Sequence, residues 1–108
     1  MIEVTYHRQY HRLTVTGHAL SDEIGKDMVC CAASTLAQTL AANAARLKEN
    51  GVATQIVTDL ENGKAEISCT VPRGWKQTTT LIFDTVCAGF EFLRRNFPEY
   101  IRFEIYDG

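Results

Sequence analysis

Apolar and polar residues alternate at Ile2, Val4 and Tyr6 and again at Leu13 and Val15, the period of strands with one buried face. Polar residues around Gln9 separate the two runs, so the chain is expected to open with a β-hairpin. From His18 to Asp27 the period lapses into acidic residues and a glycine, the composition of a loop. From Met28 to Asn50 the steps become three and four, and Val29, Ala33, Leu36, Leu40, Ala44 and Leu47 fall on one side of a helix. Asp27 reads as its N-cap and Gly51 as its stop. Alternation returns over 53–60 and 64–71, around Glu61-Asn62-Gly63, and Asn-Gly between two such runs is a strong hairpin signal. Pro72 and Gly74 break the chain. A second helix is expected from Trp75 or Lys76 to Asn96, presenting Ile82, Phe83, Val86, Phe90, Leu93 and Phe97, with Pro98 preventing its continuation. Tyr100 to Tyr106 reads as a last strand with Ile101, Phe103 and Ile105 on one face.

The order ββαββαβ lacks the strict alternation of parallel folds. It predicts an α+β architecture, a mainly antiparallel or mixed sheet packed against two helices. At 108 residues the chain has the length of a single domain (1–108) with one modest core. Seven alanines between Ala32 and Ala45 imply that the first helix approaches its neighbours closely and is the central one.

Composition narrows the function classes. A 45% hydrophobic and 22% charged chain is that of a folded globular protein. A formal net charge of -2 gives no general attraction for phosphate backbones. The one stretch that interleaves aromatic and basic groups, Tyr6 to Arg12, is expected to be a solvated hairpin end, with His7 and His11 exposed, and no nucleic-acid partner is assigned to it. Glu3, Arg8 and Arg12 interrupt the N-terminal region, and no uninterrupted apolar run has the length of a membrane span. A cytoplasmic protein without a membrane partner is therefore expected, with its four cysteines reduced.

Those cysteines must then be explained by packing, metal or reactivity. Cys69 alternates with Ile67 and Val71, and Cys87 adjoins the stripe of the second helix, so both are expected in the core. Cys30 differs: with Asp27 as N-cap it becomes the third residue of the first helix, where unpaired N–H groups and the helix dipole stabilise a thiolate and an oxyanion alike. His18 closes the second strand, and a strand end can meet a helix start. A histidine beside Cys30 would take its proton during attack and return it to a leaving amine. Spacing alone leaves open whether His18 is instead a surface or core residue. No metal or other cofactor is assigned, since Cys-x2-Cys spacing is absent and adjacent cysteines make poor tetrahedral ligands.

Gly17-His18-Ala19, five residues, then Gly25-Lys26-Asp27-Met28-Val29-Cys30 resembles the Gly-His-Ala-x5-Gly-x-Asp-Ile-Val-Cys pattern of the bacterial ribosomal-processing cysteine proteases, with histidine and cysteine in register. Ala33-Ser34 continues the family's small-residue helix start, and length and element order agree over nearly the whole chain. The resemblance implies a Cys–His dyad protease that removes a short N-terminal extension from a large-subunit ribosomal protein, cutting after an aromatic residue. It carries His18 over as base and Cys30 as nucleophile, implies a homodimer, and makes Ala19 to Lys26 a mobile cover with Gly25 supplying backbone freedom.

Two positions depart from the pattern. Met28 replaces isoleucine and Cys31 replaces alanine. Cys31 is expected to turn away from the site and pack internally, because successive helix positions lie about 100° apart. Asp27 can also orient His18 or the substrate, and Ser34, one turn beyond Cys30, can reach the site or satisfy the helix backbone. A sheet edge near the site is a candidate for binding an extended peptide, although sequence does not select the edge. The alternative reading is a non-catalytic, ribosome-associated assembly module that binds a protein through the loop and first helix.

Overall fold

The structure, a computed structural model, describes residues 1–17, 24–61 and 63–108, with the backbone alone at 24–27 and 61. Five strands and two α-helices follow in the expected order: β1 (Ile2–His7), β2 (Arg12–Thr16), α1 (Ile24–Glu49), β3 (Gln55–Glu61), β4 (Lys64–Thr70), α2 (Lys76–Asn96) and β5 (Ile101–Tyr106). Single 3-10 turns at Arg8–Tyr10 and Arg73–Trp75 complete it.

The strands form one mixed sheet in the order β3-β4-β2-β1-β5. The β1–β2, β2–β4 and β3–β4 pairs are antiparallel, and β5 closes the far edge parallel to β1. Period-two alternation divides its faces. Ile2, Val4, Tyr6, Leu13, Ala65, Ile67, Cys69, Ile101 and Phe103 are buried beneath the helices, whereas Glu3, Thr14, Glu66, Ser68 and Arg102 belong to the opposite, polar face.

Each helix covers half of the sheet, α1 over β3 and β4 and α2 over β5. The 26 residues of α1 rise about 39 Å at 1.5 Å each, which accounts for most of the 44 Å long axis. Val29, Ala33, Ala37, Leu40, Ala41 and Ala44 are its buried side, so mostly methyl groups separate its backbone from the sheet. By length and mean hydropathy (1.2), Met28–Glu49 is apolar enough to cross a membrane, but this buried stripe is spent on the protein's own sheet. The two helices meet closely at Gly89, where a β-carbon would lie 2.6 Å from Leu36 Cδ2. Gly51 ends α1 in the left-handed region (φ 75°), its N–H bonding Lys48 O and that of Val52 bonding Leu47 O, a Schellman closure.

Three sequence expectations need correction. The first helix starts at Ile24, four residues before Met28, so Asp27 lies inside it and is not its N-cap. Helical i→i−4 bonding can incorporate Gly25 and Asp27 despite their weak propensities, because propensity is only a weak prior. Cys31 is exposed, with its side chain on the solvent side of α1.

The third correction concerns the β1–β2 turn, which is solvated only at Gln9 and Tyr10. His11 is 6% exposed, with φ 48°, its ring against Phe83 and its Nε2 2.7 Å from Thr80 Oγ1. Arg8 forms a two-pronged pair with Asp84 (3.1 and 2.9 Å) and reaches Asp107 at 3.2 Å, and the buried Tyr6 hydroxyl donates to Asp84 (2.9 Å). Tyr6, Arg8 and His11 thus pin the hairpin to α2, while Tyr10 stays exposed. Burial and the Asp84 carboxylate push the Tyr6 hydroxyl well above the usual phenol range, and the Arg8 guanidinium holds Asp84 below the usual carboxylate range.

Candidate active site

A cleft of about 440 Å³ opens between α1 and the sheet. Cys30, Ala33, Ser34, Ala37 and Gln38 form its helical wall, and Ile2, Val15, Gly17, Leu60, Gly63, Lys64 and Ala65 its sheet wall. Cys30, Ser34 and Gln38 recur every four residues, the spacing that stacks side chains along one helical face. Ala33, Ala37 and Ala65 keep the interior hollow, since larger side chains there would fill it.

Two glycines shape the rim. Gly17 ends β2 with φ 97° and donates its N–H to Gly63 O (3.1 Å). A β-carbon on Gly17 would come within 2.1 Å of Met1 O, so the position demands glycine for both space and backbone angle. Gly63 has φ 83°, as the Asn-Gly hairpin requires. Together they bring the end of β2 and the tip of the β3–β4 hairpin to one side of the cleft.

Cys30 is half-buried on this wall and packed against the core, while Ser34 is exposed one turn further along. The structure therefore places Cys30 and Ser34 in a single cleft. His18 lies outside the described residues, as do residues 19–23 of the expected cover; residues 24–26 of that cover are helical. Asp27 is described only as helical backbone, so neither of its side-chain roles is visible.

The earlier helix start changes the electrostatics around Cys30. It is the seventh residue counted from Ile24, and a residue in the second turn already gives its N–H to the carbonyl four positions back. The dipole effect also falls off within the first turn. The expectation that Cys30 brings unpaired N–H groups for an oxyanion is corrected accordingly. What Cys30 retains is access, the property that separates it from two other cysteines. None of the four is disulfide-bonded, and burial pushes the thiol of Cys69 to about 11 and that of Cys87 to about 12, far from thiolate formation at neutral pH.

Sequence reasoning did not find Gln38, Lys64 or the three alanines of the cleft. Their helical and strand spacing was visible, but their convergence depends on how α1 crosses the sheet. His7 and His11, four residues apart as some metal ligands are, lie on different sides of the sheet, His7 stacked on Tyr106 and His11 against Phe83. Among the described residues no three His, Cys, Asp or Glu side chains come together as metal ligands.

Comparison with solved structures finds the same fold in proteins of similar length. SMU.848 from Streptococcus mutans is 26% identical, with a TM-score of 0.72 over 100% of this chain and 96% of that one. The S. aureus essential ribosomal processing protease Prp, in complex with a substrate peptide, is 16% identical with a TM-score of 0.69 over 97% of each chain. The same S. aureus protease in complex with a covalently linked product peptide is 20% identical, with a TM-score of 0.68 and again 97% of each chain covered. A search of curated proteins by sequence finds no match. The family described as Cysteine protease Prp matches residues 1–102, spanning β1 to β4, both helices and the start of β5. With a cysteine on the wall of a peptide-sized cleft and this match over almost its full length, the chain belongs to the cysteine protease Prp family.

Proposed function

We propose that this cysteine protease removes a short N-terminal extension from a large-subunit ribosomal protein in the cytoplasm, with Cys30 as nucleophile and His18 as base. The observation that carries the reading is the position of Cys30 on the wall of a cleft whose opposite rim ends in Gly17. His18 follows Gly17 directly in the sequence, and that adjacency together with the family pattern supports it as the base.

In the proposed reaction His18 takes the proton from Cys30 Sγ as sulfur attacks the scissile carbonyl carbon. The tetrahedral intermediate collapses as His18 protonates the departing amine, leaving a thioester on Cys30. Water, deprotonated by His18, then hydrolyses the thioester and restores the thiol. Ser34 Oγ lies one turn from Cys30 on the same wall and is available to hydrogen-bond the substrate, and Asp27 is available to orient it or His18. The hollow kept by Ala33, Ala37 and Ala65 suits a large apolar side chain next to the cut bond, as cleavage after an aromatic residue requires. The S. aureus protease with its covalently linked product peptide supports a covalent route in this fold.

A homodimer forms part of this reading. No charged residue stands between Asp27 and Arg46 of α1, and the exposed Leu81, Thr85, Ala88 and Phe92 make an uncharged row along α2. Thr35, Thr39 and Thr85 donate their hydroxyls to carbonyls one turn back, at Cys31, Thr35 and Leu81, so these helical faces satisfy much of their own polarity. Such a surface suits a second copy of the chain.

The test is incubation of wild type and Cys30→Ala with the precursor ribosomal protein carrying its extension, followed by intact mass. Wild type is expected to release the extension. Cys30→Ala should leave it whole while melting within a few degrees of wild type, and continued cleavage by that variant would falsify the assignment.

A further inference from the structure

The sheet has two outer edges, and hydrogen-bond parity shows what each offers. In β4 the odd-numbered residues face β2: Gly63 O accepts from Gly17 N, and Cys69 N donates to His11 O. The even-numbered residues therefore face β3, as the Thr54 N to Thr70 O bond shows. Register then pairs Gln55, Val57, Asp59 and Glu61 with Thr70, Ser68, Glu66 and Lys64. The backbone N–H and C=O groups of Ile56, Thr58 and Leu60 are left facing outward, and no described element lies along them.

Natural sheets usually defend such an edge with lysine, proline, a bulge or shortness. β3 has no lysine, proline or bulge: its seven residues pair with β4 without interruption, and its only charges, Asp59 and Glu61, are both acidic. Its Leu60 is also a wall of the cleft that holds Cys30. The other edge, β5, is four strand spacings away, roughly 19 Å at 4.8 Å each, and no residue of it lines that cleft.

We infer that the substrate binds as an added strand on the outer edge of β3, its backbone pairing with Ile56, Thr58 and Leu60, so that the scissile bond enters the Cys30 cleft at Leu60. The three positions are about 6.6 Å apart, two residues of extended chain, so they engage alternate residues of the peptide. Peptide side chains on the helix-covered side continue the apolar row of Ile56 and Leu60. Those on the opposite side meet Asp59, which sits across from Glu66, and a basic peptide is favoured there. This inference rests on the protease reading and adds the substrate's binding mode to it.

A synthetic peptide spanning the extension and the junction of the ribosomal precursor is N-methylated at one amide at a time. Affinity is read by fluorescence anisotropy on Cys30→Ala and cleavage by kcat and KM on wild type. Strand addition predicts alternation: methylation at every second amide weakens binding tenfold or more, and the intervening positions change it less than twofold. Binding without that alternation overturns the inference even if the peptide is cut. Alternation on Cys30→Ala without cleavage by wild type upholds it and counts against the protease reading alone. On the protein, Thr58→Pro removes an outward N–H without touching the β4 ladder and should raise KM at least fivefold with kcat within twofold, while Thr58→Val stays near wild type. An unchanged KM in folded Thr58→Pro also overturns it; if that variant does not fold, the methylation series decides.

Discussion

A methyl group at Gly17 would approach the Met1 carbonyl oxygen to 2.1 Å in a backbone conformation, φ 97°, that side chains rarely adopt. Gly17→Ala is therefore expected to destabilise the protein by roughly 2 kcal/mol or more and to lower cleavage sharply, because β1 or the β2 end must move and the cleft that Gly17 lines must change shape. Urea denaturation and cleavage rate on the same preparation check both. Cysteine accessibility makes a second prediction. Half-buried Cys30 and exposed Cys31 should react with iodoacetamide in the native protein, whereas the buried Cys69 and Cys87, with thiols raised to about 11 and about 12, should react only after unfolding. Mass spectrometry of native and unfolded samples gives the order. Labelling of Cys87 at the native rate of Cys30 would contradict the packing of α2.

The hairpin β1–β2 and helix α2 are joined through His11 and Asp84, and the two groups titrate in different windows. Burial, reinforced by nearby Lys76, lowers the His11 pKa below its ordinary 6.5, against a smaller opposing effect from Asp84. The folded chain thus resists a proton that the unfolded chain accepts near pH 6.5. Below that pH the unfolded state binds more protons, so stability falls as pH falls, by at most about 1.4 kcal/mol per pH unit for one group. Asp84 acts lower: its carboxyl is held below the usual 3.8, so its stabilisation is present above that value and lost only in stronger acid. His11→Asn tolerates the left-handed backbone and should flatten the slope between pH 7 and pH 5, measured by urea denaturation followed through Trp75 fluorescence. An unaltered slope would place the titrating group elsewhere.

For the whole molecule, the uncharged outer side of the helical layer is the feature with the broadest consequence. If it joins two copies, Leu81→Glu with Phe92→Glu should sediment as a monomer at concentrations where wild type is a dimer, because two buried carboxylates would face each other across the two-fold axis. The inner side of the same layer makes the cleft, through the separation between α1 and the sheet. A monomeric but active variant would show that the active site is complete within one chain.

Local patterns settled much of this protein. Alternation at Ile2, Val4 and Tyr6, the three-to-four step of α1 and α2, and Asn62-Gly63 between alternating runs each act within a few residues, so the element order and the burial of Cys69 and Cys87 were readable from them. Cys30 could be singled out because its surroundings in sequence follow a family pattern. The start of α1 at Ile24 was not readable, since Gly25 and Asp27 have weak helix propensity and the wider structure overrides it. The burial of His11 and the exposure of Cys31 likewise depend on where α2 and α1 lie. The strand order β3-β4-β2-β1-β5 has the same origin: it arises from contacts between residues far apart in the chain, and only those contacts put Leu60, Gly17 and Cys30 around one cleft and leave the β3 edge open beside it.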